Sequence, residues 1–153
     1  MACEYLASGQ QSVSLNSPVI FTASIPCRRG YVYHEDETGI FILHGAAANS
    51  CNGFAHYQVT CNGNIAIPTG GTAGPIAIAL TVNGEPRLTS MAVFTPAAVE
   101  TFGNVTSTAI IKVPKGCCFS LSVESVAAST DATATPAPTI VASDMNLTIT
   151  RVA

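Results

Sequence analysis

Three histidines lie in the first half of the chain, close in sequence to a run of three acidic residues. His34 directly precedes Glu35-Asp36-Glu37, and His44 and His56 follow it. Imidazole and carboxylate groups together bind zinc and related divalent metals. The spacing matches no compact ligand pattern such as His-x-His, so strand ends and loop surface are the favoured interpretation. We expect no metal, no cofactor and no catalytic residue.

The cysteines have three possible uses. The six are Cys3, Cys27, Cys51, Cys61, Cys117 and Cys118. No Cys-x2–4-Cys pair occurs, and adjacent residues of a strand point to opposite faces, which disfavours a shared metal. Buried, unreactive thiols are the first interpretation. Disulfides formed after release from the cell are the alternative, with Cys3 of one subunit reaching Cys117 or Cys118 of another.

The sequence motifs of hydrolases and phosphate-binding loops are missing or incomplete, and the matches to the glycosylation motif are not informative. No Gly-x-Ser-x-Gly elbow is present for a hydrolase nucleophile. The glycine-rich loop Thr69–Gly74 lacks the Lys-Ser/Thr and the following helix of a phosphate-binding loop. Asn104 and Asn146 each begin an Asn-x-Thr sequence, but both lie in predicted strands, so chance explains these matches better than glycosylation.

Carbohydrate binding is a further hypothesis, because strand-built sandwiches often bind sugars on exposed aromatic rings. The chain has no tryptophan and four tyrosines. Tyr31, Tyr33 and Tyr57 could form such a platform, although core or interface positions are the favoured interpretation.

Composition indicates a protein that contacts other subunits. The 153 residues suit a single domain; 48% are hydrophobic and 10% are charged, against roughly 25% charged residues in typical domains. We expect subunit contacts to cover part of the surface. A net charge of −3 disfavours nucleic acid as a partner.

The chain shows no targeting or membrane segment. Its first residues, MACEYLASGQQS, have neither a basic region nor an apolar core, and no apolar run approaches the ~18 residues of a membrane span. We therefore expect synthesis in a cytoplasm, no membrane association, and a final location on a virion released by lysis. A spore or cell surface is the alternative location.

Period-two alternation predicts about eight to ten strands and no helix. The predicted strands are 12–15, 19–25, 31–34, 39–43, 54–67, 76–82, 87–94, 104–113, 118–126 and 145–152. Asn62-Gly63 predicts a tight turn or bulge, Asn83-Gly84 a hairpin, and 127–138 a flexible loop. Short strands separated by turn signals predict an all-β, single-domain antiparallel β-sandwich or jelly roll.

One strand is a candidate for subunit contact. Ile76, Ile78, Leu80 and Val82 alternate with Ala77, Ala79 and Thr81. Large aliphatic side chains on one face and small ones on the other would let another layer or subunit approach closely, so 76–82 is the predicted interface strand.

Three stretches carry a resemblance to a known family. They are YQVTCNGNIAIPTGGTAGPIAIALTVNGEP from Tyr57, IIKVPKGCCFSLSVES from Ile110 and NLTITRV from Asn146. They resemble the trimeric jelly rolls related to tumour necrosis factor and complement-type heads. The bacterial and phage branch, similar to C-terminal domains of Bacillus collagen-like exosporium glycoproteins, is the nearest in pattern. The resemblance covers about residues 39–153 and implies three subunits packed around an axis.

These observations lead to a structural hypothesis. Residues 1–38 are expected to form a polar lead-in with short strands and a possible anchor, and residues 39–153 the jelly-roll domain. We expect a non-enzymatic homotrimer, a capsid decoration or head-fibre protein of a phage or prophage, bound to other virion proteins. One alternative is a spore or cell-surface appendage polymerised through cysteines. A carbohydrate-binding receptor-recognition module is the other.

Overall fold

The computed structural model describes residues 2–25, 30–128 and 139–153. These residues form eleven strands and one 3₁₀ turn, Leu88–Ser90. The strands are β1 (Ala2–Val13), β2 (Ala23–Ile25), β3 (Val32–His34), β4 (Phe41–His44), β5 (Phe54–Ala66), β6 (Ile76–Val82), β7 (Glu85–Pro86), β8 (Ala92–Phe94), β9 (Gly103–Pro114), β10 (Cys118–Val126) and β11 (Ile140–Arg151). In these ranges no helix is long and apolar enough to cross a membrane.

The strands form two antiparallel sheets that face each other. The first has the order β2-β1-β11-β5-β9 and the second the order β3-β4-β10-β6-β7, with β8 also paired to β6. The chain crosses from one sheet to the other between some consecutive strands, for example between β9 and β10. This arrangement confirms the predicted all-β antiparallel sandwich.

Strict alternation of side chains explains why these segments are strands. In β5, Tyr57, Val59 and Cys61 are fully buried, whereas Gln58 and Asn62 on the opposite face are exposed. Residues with that period bury one face of a sheet and leave the other to solvent. Large side chains from both sheets fill the space between them, including Phe21, Phe41, Ile65, Ile78, Leu80, Ile111, Leu121 and Ile140.

The N-terminal segment differs from the expected polar lead-in. Ala2–Val13 is a strand that pairs with β11 from Ala2↔Thr150 to Val13↔Ile140. Its alternate residues Cys3, Tyr5 and Ala7 enter the core. Gly9 (φ +79°) lies where the register shifts between Ala7 and Gln10 and interrupts the alternation, which concealed the strand. This segment is therefore part of the sheet between β2 and β11 and not a lead-in.

The Asn62-Gly63 turn or bulge was predicted in the wrong strand. β5 runs continuously through both residues, and its pairing with β9 keeps register there. The irregularity lies in β11: Asn62 pairs with Asn146 and Asn64 pairs with Ser143, so two residues of β11 face Gly63. β11 carries the bulge, where Asp144 has a φ of +51°.

Other local expectations were partly correct. Asn83 and Gly84 have φ values of +52° and +81° and connect β6 to β7 as predicted. The return segment 87–94 is broken by the 3₁₀ turn, and the predicted strand 19–25 is reduced to Ala23–Ile25. Pro114–Gly116 connects the two sheets, since β9 pairs with β5 and β10 pairs with β4 and β6. Most of the predicted loop 127–138 lies outside the described residues.

The predicted interface strand, β6, lies inside the subunit. Ile76, Ile78 and Leu80 are at most 1% exposed and belong to the core between the sheets, with Val82 packed against it. The side chains of Ile76, Ile78 and Leu80 pack against the opposite sheet and are not available to another subunit, whereas Val82 is only partly buried. The small residues Ala77 and Ala79 on the other face are buried too, against neighbours that include Met91, Val126 and Ala128.

Candidate subunit-contact surface

The three histidines occupy separate environments. The His34 ring stacks on Phe41 at 4.3 Å between centroids, and its Nε2 lies 3.0 Å from the Thr38 carbonyl oxygen. His44 lies beside Cys118, and His56 pairs across strands with Lys112. In the part of the chain that the structure describes, no group of three or more His, Cys, Asp or Glu side chains is arranged to hold a metal ion.

The tyrosines do not form a common aromatic platform. Tyr57 is fully buried, and its hydroxyl donates hydrogen bonds to the carbonyl oxygens of Tyr31 and His44. Burial raises the pKa of this phenol. The Tyr31 ring is covered by the Arg151 guanidinium, 3.9 Å from its centroid. Tyr33 alone of the three is strongly exposed, on the outward face of the second sheet.

The cysteines divide into buried and exposed groups. Cys61 is buried, as predicted, and burial raises the pKa of its thiol to about 12. Cys51, Cys117 and Cys118 are free and exposed. Cys27 lies outside the described residues. Cys3 is buried in β1 and disulfide-bonded, so a bridge from Cys3 to Cys117 or Cys118 of a neighbour would first need that bond to exchange. It stays a prediction.

A hydrogen-bond network of side-chain amides and hydroxyls lies on the outward face of the first sheet. Asn62 Nδ2 donates to Asn104 Oδ1 at 3.2 Å and to Thr106 Oγ1 at 2.7 Å. Asn104 Nδ2 donates in turn to the Oδ1 atoms of Asn62 and Asn64, each at 3.3 Å. The hydroxyl oxygens of Thr60 and Thr108 lie 3.1 Å apart. We call these residues, with Asn146 and Thr148 of β11, the amide-hydroxyl face.

The few charges bordering the amide-hydroxyl face have local partners. The Glu4 carboxylate accepts a hydrogen bond from Asn146 Nδ2 at 2.5 Å. Lys112 Nζ lies 3.7 Å from the centroid of the Phe54 ring. A face whose polar groups already bond one another costs less to desolvate than one carrying free charges. Such a surface is suited to being covered by another protein.

An apolar groove adjoins this face at the edge strand β9. It has a volume of about 350 Å³. Its lining residues are Val82, Glu85, Pro86, Arg87, Ile110, Ile111, Lys112 and Phe119. Ile110 lies at its rim and is 53% exposed. Arg87 Nη1 donates to the Ile110 carbonyl oxygen at 2.9 Å, which blocks one position where another strand could pair with the edge.

The sequence interpretation missed this surface, although a signal was present. Asn and Thr recur at alternate positions in 60–64, 104–108 and 146–150. Polar residues on one face of three strands mark that face as the outward one. That the three strands lie side by side, in the order β11-β5-β9, is visible only in the folded chain.

Comparisons with known proteins show the fold. No protein-family model and no curated protein matches the sequence. Among solved structures, the globular domain of zebrafish complement 1qA protein is similar with a TM-score of 0.61 and 12% identity, covering 99% of this chain and 96% of that one. Eiger TNF from S. frugiperda is similar with a TM-score of 0.62 and 12% identity, covering 100% and 92%.

These similarities confirm the jelly-roll fold predicted from the sequence. Both extend over essentially the whole chain, including the first 38 residues. The fold is therefore that of the complement-head and tumour-necrosis-factor jelly rolls.

Proposed function

We propose that the chain is a non-enzymatic structural module that assembles as a homotrimer. The observation that carries this proposal is the amide-hydroxyl face beside the apolar groove of β9. One surface is polar and uncharged at its centre, and the other offers an exposed isoleucine at a sheet edge. Likeness in fold to the complement and TNF domains supports the trimer.

The proposed contact is heterologous: the β9 edge of one subunit packs against the amide-hydroxyl face of the next. A heterologous contact closes into a ring when its rotation is 120°, which is the trimer case. Ile110 is 53% exposed, so its complete burial at such a contact favours association by about 1 kcal/mol, roughly half the value for a fully exposed side chain of this size. The amide-hydroxyl face supplies hydrogen-bonding groups within the contact.

Within this proposal, the more specific role is a virion component, either a capsid decoration or a head-fibre protein. A chain with 10% charged residues and a net charge of −3 suits an assembly whose surfaces meet other protein surfaces. A cell-surface or spore appendage linked through the exposed cysteines is the alternative. Glycan recognition is the second alternative, for which exposed Tyr33 is a candidate contact.

The test of the trimer is light scattering after size exclusion, with and without reductant. The expected mass is three times 15.7 kDa, unchanged by reductant. Ile110→Glu should give monomers, whereas Tyr33→Glu, an exposed position on the other sheet, should leave the trimer intact. A monomeric wild type, or equal effects of both substitutions, would overturn the proposed contact. Polymers that dissociate in reductant would favour the cysteine-linked appendage.

The virion role needs separate measurements. Gradient-purified particles from the organism that encodes the chain should contain it at stoichiometric levels by mass spectrometry. Its recovery only from spore coats or cell surfaces would overturn the virion proposal and leave the trimer proposal standing. A glycan array with the wild type and Tyr33→Ala tests the carbohydrate alternative, and a blank array would exclude it.

A further inference from the structure

Cys118 and His44 form a thiol–imidazole pair on the outward face of the second sheet. They are direct cross-strand partners in the pairing of β10 with β4. The Cys118 sulfur lies 3.2 Å from His44 Nδ1, within hydrogen-bonding distance for sulfur. The sulfur is exposed, so a reagent in solvent can approach it.

The backbone around His44 is fixed by hydrogen bonds on both sides. The His44 N–H donates to the Tyr31 carbonyl oxygen at 3.0 Å, and the His44 carbonyl oxygen accepts from the Tyr57 hydroxyl at 2.5 Å. Because Tyr57 is fully buried, this anchor belongs to the core. The backbone that carries the imidazole is thus held by the sheet and not by a free loop.

The loop before Cys118 is fixed in the same way. The Gly45 N–H donates to the Cys117 carbonyl oxygen at 2.8 Å, and the Cys117 N–H donates to the Pro114 carbonyl oxygen at 3.1 Å. A β-carbon at Gly45 would overlap the Pro114 carbonyl oxygen, which shows how closely the two loops are packed. Nucleophile and base therefore meet in a preformed arrangement, as thiol catalysis requires.

We propose that Cys118 is a thiol–disulfide exchange site in which His44 acts as general base. His44 Nδ1 accepts the thiol proton, and the Cys118 sulfur attacks one sulfur of an incoming disulfide. The S–S bond of that disulfide breaks, a mixed disulfide forms on Cys118, and the departing thiolate takes the proton from the imidazolium. One disulfide is replaced by another, so no external oxidant is needed. The co-substrate class is a small, accessible disulfide such as oxidised glutathione.

Cys118 lies on the outward face of the second sheet, away from the amide-hydroxyl face of the first. Its neighbour Phe119 lines the groove beside β9, so the other half of the proposed trimer contact lies close to the thiol. On an assembled particle it would be a point of covalent attachment for disulfide-bearing molecules.

The test follows release of thionitrobenzoate when the full native chain reacts with Ellman's reagent. We expect one fast-reacting thiol per chain. Cys118→Ser should remove this phase, whereas Cys51→Ser and Cys117→Ser, which alter the other exposed free thiols, should retain it. His44→Asn should slow the phase at least about tenfold, and His56→Asn should not. The pH dependence of the fast phase should also lose its imidazole component in His44→Asn.

Two outcomes would overturn the proposal. One is a fast phase that disappears with Cys51→Ser or Cys117→Ser. The other is a His44→Asn rate and pH profile equal to those of the wild type. Peptide mapping of wild-type chain treated with oxidised glutathione provides a test without substitutions: the first adduct should lie on Cys118, and an adduct elsewhere contradicts the assignment. His44→Gln repeats the histidine test should His44→Asn fold poorly, as judged by circular dichroism.

Discussion

Gly63 of β5 faces Met145 of β11 across the bulge, so closely that a β-carbon at position 63 would overlap the Met145 sulfur and lie 3.1 Å from Met145 Cα. Met145 is buried, because the extra residue of the bulge turns it into the core. The absence of a side chain at position 63 thus lets the central strands of the first sheet pair around the irregularity. The same pair explains why this glycine lies mid-strand rather than in a turn.

Gly63→Ala should lower the free energy of unfolding by about 1–3 kcal/mol, the usual cost of overpacking a core. Urea unfolding followed by circular dichroism measures it. Gly53→Ala is the matched control, since a β-carbon there meets nothing within 4 Å; its effect should be near zero. In a Met145→Ala background the cost of Gly63→Ala should shrink. An unchanged cost would show that Met145 is not the obstacle.

Tyr57→Phe should destabilise the chain by about 1–3 kcal/mol. The substitution keeps the ring but removes the hydroxyl that donates to the carbonyl oxygens of Tyr31 and His44, which leaves buried acceptors without this donor. Thermal unfolding is the measurement. Tyr33→Phe, at an exposed position, is the control and should have no measurable effect. Equal melting temperatures for both variants would contradict the role given to the Tyr57 hydroxyl.

Stability should fall as the pH rises above 9, through Cys61. Its thiol pKa is raised from 9.0 to about 12 by burial, so the unfolded chain releases this proton first. The contribution of Cys61 is complete below pH 9 and is lost progressively up to about pH 12, at up to about 1.4 kcal/mol per pH unit.

Unfolding between pH 9 and 10 reports mainly on Cys61, because the raised pKa values of Tyr5 and Tyr57 contribute most above their ordinary value of 10.0, and comparison with Cys61→Ala removes their common contribution. Cys61→Ala should be less stable at neutral pH and should show a shallower decline over this interval. A decline as steep as that of the wild type would assign the alkaline sensitivity to other groups.

Asn104→Asp should weaken association more than folding. The Asn104 amide donates to two carbonyl oxygens of neighbouring asparagines, and a carboxylate there would place negative charge against both, at the centre of the proposed contact. We expect at least a tenfold loss of trimer affinity by analytical ultracentrifugation, with partial recovery at acid pH as the carboxylate is protonated.

The matched control is Asn49→Asp, the same charge change at an exposed position in the β4–β5 loop. It should leave the trimer unaffected. An Asn104→Asp chain that remains fully trimeric at micromolar concentration would exclude the amide-hydroxyl face as the subunit contact.

Local pattern was sufficient to predict the class of fold. Alternation of large apolar residues with polar or small ones in 54–67, 76–82 and 145–152 is compatible with a strand and not with a helix, whatever the partners are. Asn83-Gly84 likewise predicts its turn, because few other residues adopt positive φ values in succession. These features depend on interactions between neighbours in sequence, so the chain itself contains the information.

The candidate surfaces depended on pairing between distant residues. Cys3, Tyr5 and Ala7 form a strand because β11, more than 130 residues away, offers a partner of the right register. The aliphatic face of β6 points inward and not at a neighbour because the first sheet covers it. Cys118 meets His44 because β10 lies beside β4. Alternation determines that a strand has two faces, and only the stacking of the sheets decides which face is core, which is surface, and which side chains meet on it.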